Sequence, residues 1–225
     1  MYTLYMTTLP HYLTTLDYLP LKNIFIPSEM PSEKLMILLH GRGGKAEDFV
    51  WMAEAFGFDD MHYLLLNAPD VYNDGYSWYD DMPQHTQDIE KASLLLSKTF
   101  DALFEKDFSA SKSYLLGFSQ GALLTFEFGA RYEKSLAGYI AMSGQLSNPA
   151  LLLLEMNSQL KNANWLCTHG TQDKALDFQT IKSQVETLKK GGFHITCKSY
   201  DKGHVVNIEE VEMLRQWIKK YSPST

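Results

Sequence analysis

Only two cysteines, Cys167 and Cys197, occur in the 225 residues, and both fall in apolar runs that read as strands. A thiol so placed behaves as a small buried apolar group, so no disulfide is expected. Basic clusters are also missing. With 20 Lys and Arg against 27 Asp and Glu, a formal net charge of -7, and no basic run on any predicted helix, the chain should repel phosphate backbones. No nucleic-acid partner is therefore expected. No apolar run approaches the roughly 20 residues that cross a bilayer, so no integral membrane segment is expected. Met1 to Pro20 lacks a basic start, and threonines, tyrosines and His11 interrupt its apolar residues. It does not read as a signal peptide, and a cytoplasmic chain is the default expectation. Biased tracts, repeats and linkers are absent as well, and a composition of 45% hydrophobic and 21% charged residues suits a packed core. The length suits one domain spanning residues 1–225.

What is present is a regular alternation. After one or two edge strands around Tyr2 to Thr8 and Asn23 to Pro27, apolar runs follow at Leu35 to Leu39, Tyr63 to Asn67, Ser113 to Leu116, Leu136 to Met142, Trp165 to Thr168 and His194 to Tyr200. Most are continuous, as strands buried on both faces of a parallel sheet should be. Between them lie amphipathic stretches. Ile89, Ala92, Leu96 and Leu103 recur at helical spacing within Gln84 to Phe104, and Ile208, Val211, Leu214, Ile218 and Tyr221 repeat the pattern at the end. The β-α-β-α order predicts an α/β fold, a doubly wound, mostly parallel sheet with helices on both faces. Ligands of such sheets sit at the carboxyl ends of the strands. Gly144 to Asn164 has room for one helix and no large cap domain, so an open cleft is expected.

The most informative segment is Gly117-Phe118-Ser119-Gln120-Gly121, set between the run Tyr114 to Leu116 and a helix-like stretch, Ala122 to Ala130. Glycines at its ends let a strand turn sharply into a helix, which forces the central serine into a strained conformation with its hydroxyl exposed. Gln120 opens the helix, so its N–H has no intrahelical partner and can face a developing oxyanion.

A serine hydroxyl needs a base, itself oriented by an acid. In this fold the chain order is serine, acid, histidine, each partner on a loop after a strand. Asp173 follows Trp165 to Thr168 through His169-Gly170-Thr171-Gln172, and His204 follows the last strand through Asp201-Lys202-Gly203 and begins the final helix. His11, His62, His85 and His194 sit at strand or helix starts, where solvated or structural roles are expected. Asp177 and Asp201 are rivals for the acid, Asp177 lying in the next helix and Asp201 too near His204 along the chain. His169 and Ser143 read as structural supports.

A second oxyanion donor is expected from His40-Gly41-Arg42-Gly43-Gly44, after the run Leu35 to Leu39. The glycines let the Arg42 N–H turn toward Ser119. The Arg42 side chain is expected to pair with Asp80, Asp81 or another carboxylate, with an anionic head group as the alternative. The loop Val71 to Asp81 carries Tyr72, Tyr76, Trp78 and Tyr79. Tyr72, Tyr76 and Trp78 are the candidate substrate contacts, apolar area beside the nucleophile suited to an acyl chain.

Together, Leu39 to Gly44, Asn67-Ala68-Pro69-Asp70, Tyr76-Ser77-Trp78-Tyr79-Asp80, Gly117 to Gly121, His169-Gly170-Thr171-Gln172-Asp173 and Gly203-His204 resemble the phospholipase/carboxylesterase family of α/β-hydrolases, which includes the acyl-protein thioesterases. The resemblance spans Leu35 to Tyr221. It implies hydrolysis of small-molecule carboxylic esters or thioesters through an acyl-serine intermediate, with no metal and no organic cofactor. The loop before Ser77-Trp78 is short, which makes the chain look more like the small bacterial esterases. Lys174-Ala175-Leu176-Asp177 replaces the usual apolar-apolar-Pro stretch after the acid. Alternatives are a lysophospholipase or acyl-protein thioesterase acting at a membrane surface, and a binding protein that keeps the fold without catalysis. No oligomeric state follows from the sequence.

Overall fold

A computed structural model describes residues 13–80 and 85–222. The apolar runs form one seven-stranded sheet from β1 (Asn23–Ile26), β2 (Leu35–Leu39), β3 (His62–Leu66), β6 (Ser113–Phe118), β7 (Gly138–Met142), β8 (Trp165–Gly170) and β9 (Ile195–Tyr200), in the order β1-β3-β2-β6-β7-β8-β9. β1 pairs antiparallel with β3, and the other neighbours are parallel. The strand expected at Tyr2 to Thr8 lies outside the described residues.

The sheet is apolar on both faces because helices cover both. Leu35, Ile37, Leu39, Leu115, Ala141 and Trp165 pack against α2 (His85–Lys106), α3 (Gln120–Glu127) and α5 (Phe178–Lys190). Met36, Leu38, Tyr114, Leu116, Ile140 and Met142 pack against α1 (Val50–Phe56) and α6 (Ile208–Lys220). Every strand of this sheet except β9 thus sends alternate side chains into two cores. α4 (Pro149–Glu155) and a 3₁₀ turn at Ser158–Asn162 fill the β7 to β8 connection, so no cap domain is inserted there.

Three expectations need correction. β9 is the open edge, its residues 196–199 are exposed, and Cys197 is a free, exposed thiol, whereas Cys167 is buried as expected. Asn207 caps α6, so the helix starts at Ile208 and leaves His204 on the preceding loop. Within the loop Val71 to Asp81, β4 (Asp70–Tyr72) and β5 (Gly75–Ser77) form a hairpin, turned at Asn73, whose φ is 52°. Its signal is the two-residue turn Asn73-Asp74 followed by Gly75, with Asn73 taking the positive φ that asparagine tolerates.

Candidate active site

β6 and α3 set the serine. Their junction leaves no space for side chains at the flanking glycines: a Cβ on Gly117 would stand 2.1 Å from the Gly121 carbonyl oxygen, and one on Gly121 2.2 Å from that of Leu39. The chain therefore doubles back tightly, and Ser119 adopts φ 56° and ψ −113°, a conformation L-residues avoid. A hydrogen bond of 2.9 Å from its N–H to the Met142 carbonyl holds it there. The side chain stays partly exposed.

Ser119 Oγ lies 2.9 Å from His204 Nε2, and His204 Nδ1 lies 2.7 Å from Asp173 Oδ2. The carboxylate can only accept, so Nδ1 carries the proton and Nε2 is left to accept from the serine. Asp173 Oδ1 accepts the N–H groups of Ala175 and Leu176, each at 2.9 Å. Burial pushes the Asp173 carboxyl up, but the hydrogen bonds from Leu176, His204 and Ala175 outweigh it and hold the group below the usual carboxylate range. The unusual stretch after Asp173 thus supplies two donors to its carboxylate. Asp177 does something else: it caps α5, accepting from the Thr180 N–H at 2.8 Å. Asp201 is exposed.

His169 supports the acid loop. Its Nε2 faces two acceptors, the Leu176 carbonyl at 3.0 Å and Asp173 Oδ2 at 3.3 Å, and so bears the proton. Burial keeps this ring's pKa below the ordinary histidine value.

The glycine-rich loop after β2 is held from three sides. Gly41 abuts the elbow, where a Cβ would stand 3.1 Å from Ser119 Cβ. β5 runs alongside, with the Gly43 N–H on the Tyr76 carbonyl at 2.8 Å and the Tyr76 N–H on the Gly44 carbonyl at 2.9 Å. His40 lies beneath, buried and neutral: Nε2 accepts from the Ala68 N–H at 3.0 Å, which leaves Nδ1 to donate to the Gly41 carbonyl at 2.6 Å. The Arg42 guanidinium stacks 4.5 Å from the Tyr72 ring and pairs with Asp80 at 3.9 Å, the pairing expected of it. Asp81 lies outside the described residues.

The aromatic loop divides. Tyr72 is half-exposed beside Arg42, and Tyr76 is half-buried, its ring 6.5 Å from that of His40. Trp78, expected to face the cleft, is instead fully buried, its Nε1–H donating to the His40 carbonyl at 2.9 Å. It supports the glycine loop from below, with its indole N–H paired to that carbonyl. Sequence reasoning missed the Gln120 side chain: Oε1 accepts the Trp78 N–H at 3.0 Å and Nε2 donates to the Tyr79 carbonyl at 2.7 Å. It joins the elbow to the aromatic loop. A groove of about 1470 Å³ runs between α2 and α4, and none of Ser119, Asp173 or His204 lines it.

Such an arrangement places a serine hydroxyl, an imidazole acceptor and an oriented carboxylate at the carboxyl ends of β6, β8 and β9, the equipment of acyl transfer. Comparison with known proteins agrees with this fold. The chain is 27% identical to a probable carboxylesterase SOBER1-like of Arabidopsis thaliana over 84% of this chain and 79% of that protein. It is 28% identical to acyl-protein thioesterase 1 homolog 1 of Dictyostelium discoideum, over 90% and 97%. The crystal structure of the Bacillus cereus carboxylesterase superposes with a TM-score of 0.78 at 18% identity, covering 91% of this chain and 96% of that one, which speaks to the fold alone. The model of the phospholipase/carboxylesterase family matches residues 22–222, nearly the whole chain, and the chain belongs to that family of α/β-hydrolases.

Proposed function

We propose that the chain is a serine hydrolase that cleaves carboxylic esters or thioesters of small to medium acyl chains through an acyl-serine intermediate. The observation that carries this reading is the continuous hydrogen-bonded chain from Ser119 Oγ through His204 to Asp173, seated on a strained elbow. Ser119 Oγ attacks the carbonyl carbon while His204 Nε2 takes its proton, and Asp173 stabilises the imidazolium. The tetrahedral oxyanion is bound by the N–H groups of Arg42 and Gln120. Collapse expels the alcohol or thiol, protonated by His204, and leaves the acyl group on Ser119. Water, deprotonated by the same nitrogen, then attacks the acyl carbon, and the proton passes to Ser119 Oγ as the acyl–oxygen bond breaks, which releases the carboxylic acid and restores the serine. Every step is a proton or acyl transfer among these groups. Tyr72, half-exposed beside Arg42, is the aromatic we assign to contact an acyl chain.

Carboxylesterases and acyl-protein thioesterases both occur among the relatives, which supports either leaving atom. The membrane-surface reading, as a lysophospholipase or acyl-protein thioesterase, draws support from three exposed apolar side chains: Val71 next to Tyr72, Val205 next to His204, and Ile208 at the start of α6. The deciding experiment is initial-rate hydrolysis of p-nitrophenyl esters from acetate to palmitate, with Ser119→Ala as control. The expected result is activity peaking at short to medium chains and lowered in the variant by a factor on the order of 10⁴ or more. Ser119→Ala turning over near the wild-type rate would sink the assignment. A peak at long chains, with liposome co-sedimentation, would favour the membrane-surface reading, and a chain that neither hydrolyses these esters nor takes a fluorophosphonate label would be the non-catalytic binding protein.

A further inference from the structure

Two residues before His204 the chain buries a charge that the mechanism does not use. Lys202 is 4% exposed at its side chain and Glu210, in the first turn of α6, 0%. A lysine on a loop ordinarily keeps its ammonium in water. Here Nζ lies 2.5 Å from Glu210 Oε2 and donates to the Val205 carbonyl at 2.6 Å. Residue 205 stands on the far side of His204 from residue 202, so the lysine side chain closes a ring around the histidine.

The backbone of Lys202 is equally engaged. Its N–H bonds the Tyr200 carbonyl at 2.9 Å, and its own carbonyl accepts from Gln172 of the acid loop at 3.0 Å. A Cβ on Gly170 would stand 2.3 Å from that carbonyl oxygen, so β8 and the histidine loop meet without clearance. Glu210 supplies the fixed end. Its N–H bonds the cap Asn207 at 2.8 Å, its carboxylate sits at the positive end of the helix dipole, and the following Val211, Leu214 and Trp217 anchor α6 in the core. The apolar anchorage of the loop lies beside the histidine, in Val206 packed against the core and the Phe118 ring 5.0 Å from that of His204, while Val205 is 56% exposed and the backbone between 202 and 205 is tied down by the lysine.

Building on the proposed hydrolase mechanism, we infer that Lys202 is a positioning residue: through Glu210 and the Val205 carbonyl it transmits the place of α6 to His204 and sets its reach to Ser119. Stability alone does not account for the pair. Buried ion pairs are commonly replaced by apolar residues of similar volume at no loss of stability, whereas removing one partner strands the other charge. Glu210 Oε1, buried with no partner among the described residues, adds to the cost of keeping the pair. Geometry is what the pair supplies that an apolar substitute does not. A misplacement of about 1 Å in a reacting group can cost on the order of 100-fold in rate.

The test compares wild type, Lys202→Met, Lys202→Arg, the double variant Lys202→Met/Glu210→Met and Ser119→Ala. Each is assayed for kcat and KM on p-nitrophenyl butyrate, for the rate of fluorophosphonate labelling, and for folding by circular dichroism and Tm. The double variant decides, because it removes both charges together and leaves the net charge near His204 unchanged while deleting the bond to Val205. Expected is a folded double variant with Tm at or above wild type, kcat and labelling rate lowered about 10-fold or more, and KM within about twofold. Lys202→Arg, which keeps the donors, should recover most of the rate. A double variant with wild-type kcat, or one that fails to fold, would overturn the inference and leave a structural staple, even if Lys202→Met alone is unstable. A wild type that neither hydrolyses nor takes the label overturns the hydrolase reading and this inference with it. Full wild-type activity matched by the double variant overturns this inference only.

Discussion

Both oxygens of the Asp173 carboxylate are committed, and that makes its replacement informative. Oδ1 faces the N–H groups of Ala175 and Leu176. An asparagine there must put its carbonyl oxygen toward those donors and its NH₂ toward His204. The amide then donates to Nδ1, moves the imidazole proton to Nε2, and leaves no acceptor for the serine. Asp173→Asn should therefore lower kcat by about 10⁴ with the fold intact. Asp177→Asn should leave kcat within twofold, since asparagine caps a helix as well as aspartate does. If steady-state assays return the reverse pattern, the acid is misassigned. Gln120 offers a second residue-level test. Gln120→Ala leaves the buried Trp78 N–H without its acceptor, at a cost of about 1–3 kcal/mol, and frees the aromatic loop from the elbow. A lower urea midpoint together with a lower kcat is expected, and an unchanged midpoint would show that the clamp carries no energy.

At the scale of elements, the strand-to-helix turn is the least tolerant part of the chain. Gly117→Ala would push a methyl group to within about 2 Å of the Gly121 carbonyl, backbone against backbone, so no rotamer change relieves it. Destabilisation of more than about 3 kcal/mol, or loss of soluble protein, is expected. A folded, active Gly117→Ala would show that the turn is looser than a 2.1 Å approach implies. That turn was legible in the sequence because its signals are local: an apolar run, two glycines, a helix. The same holds for β2, whose bounds Leu35–Leu39 match the apolar run, and for α2 and α6, whose stripes repeat at helical spacing. The β4–β5 hairpin was not read because two three-residue strands, exposed at Asp70 and Val71, carry no periodicity and only a turn signal. The position of Trp78 is hidden for a related reason: an aromatic residue on a loop looks the same in sequence whether it faces a cleft or supports the loop from beneath. Its acceptor, the His40 carbonyl, is 38 residues away along the chain. The exposure of Cys197 depends on β9 being an edge, and strand order is set by crossovers that a run of six residues does not encode. Ser119, Asp173 and His204, by contrast, were reachable from chain order and loop position, and the structure brings the three side chains together.

For the molecule as a whole, the dependence of stability on pH follows from which titratable groups are buried. His40, His62 and His169 all have pKa values pushed down, in each case chiefly by burial. Protonating His40 would also turn Nε2 from an acceptor into a donor facing the Ala68 N–H. Each ring therefore binds its proton more readily when unfolded. The stability this represents is complete above the unfolded value, near 6.5, and is lost as pH falls below it toward the folded values. Asp173, whose folded pKa is depressed, adds a second contribution that is complete above about 4 and is lost as pH falls through its folded value. A competing term acts in the same range: with a net charge of -7 and a pI near 5.5, acidification relieves self-repulsion and favours the compact state. Screened repulsion is spread over the surface, whereas the histidine terms are local and shielded from salt. The histidines should therefore win in 0.15 M salt, and the urea midpoint should fall between pH 7 and pH 5 and again below pH 4. His40→Gln should flatten the upper step, since a glutamine amide bonds without titrating. A midpoint that rises steadily from pH 7 to pH 5.5 would show that net charge, not the buried rings, governs the acid side of this protein's stability.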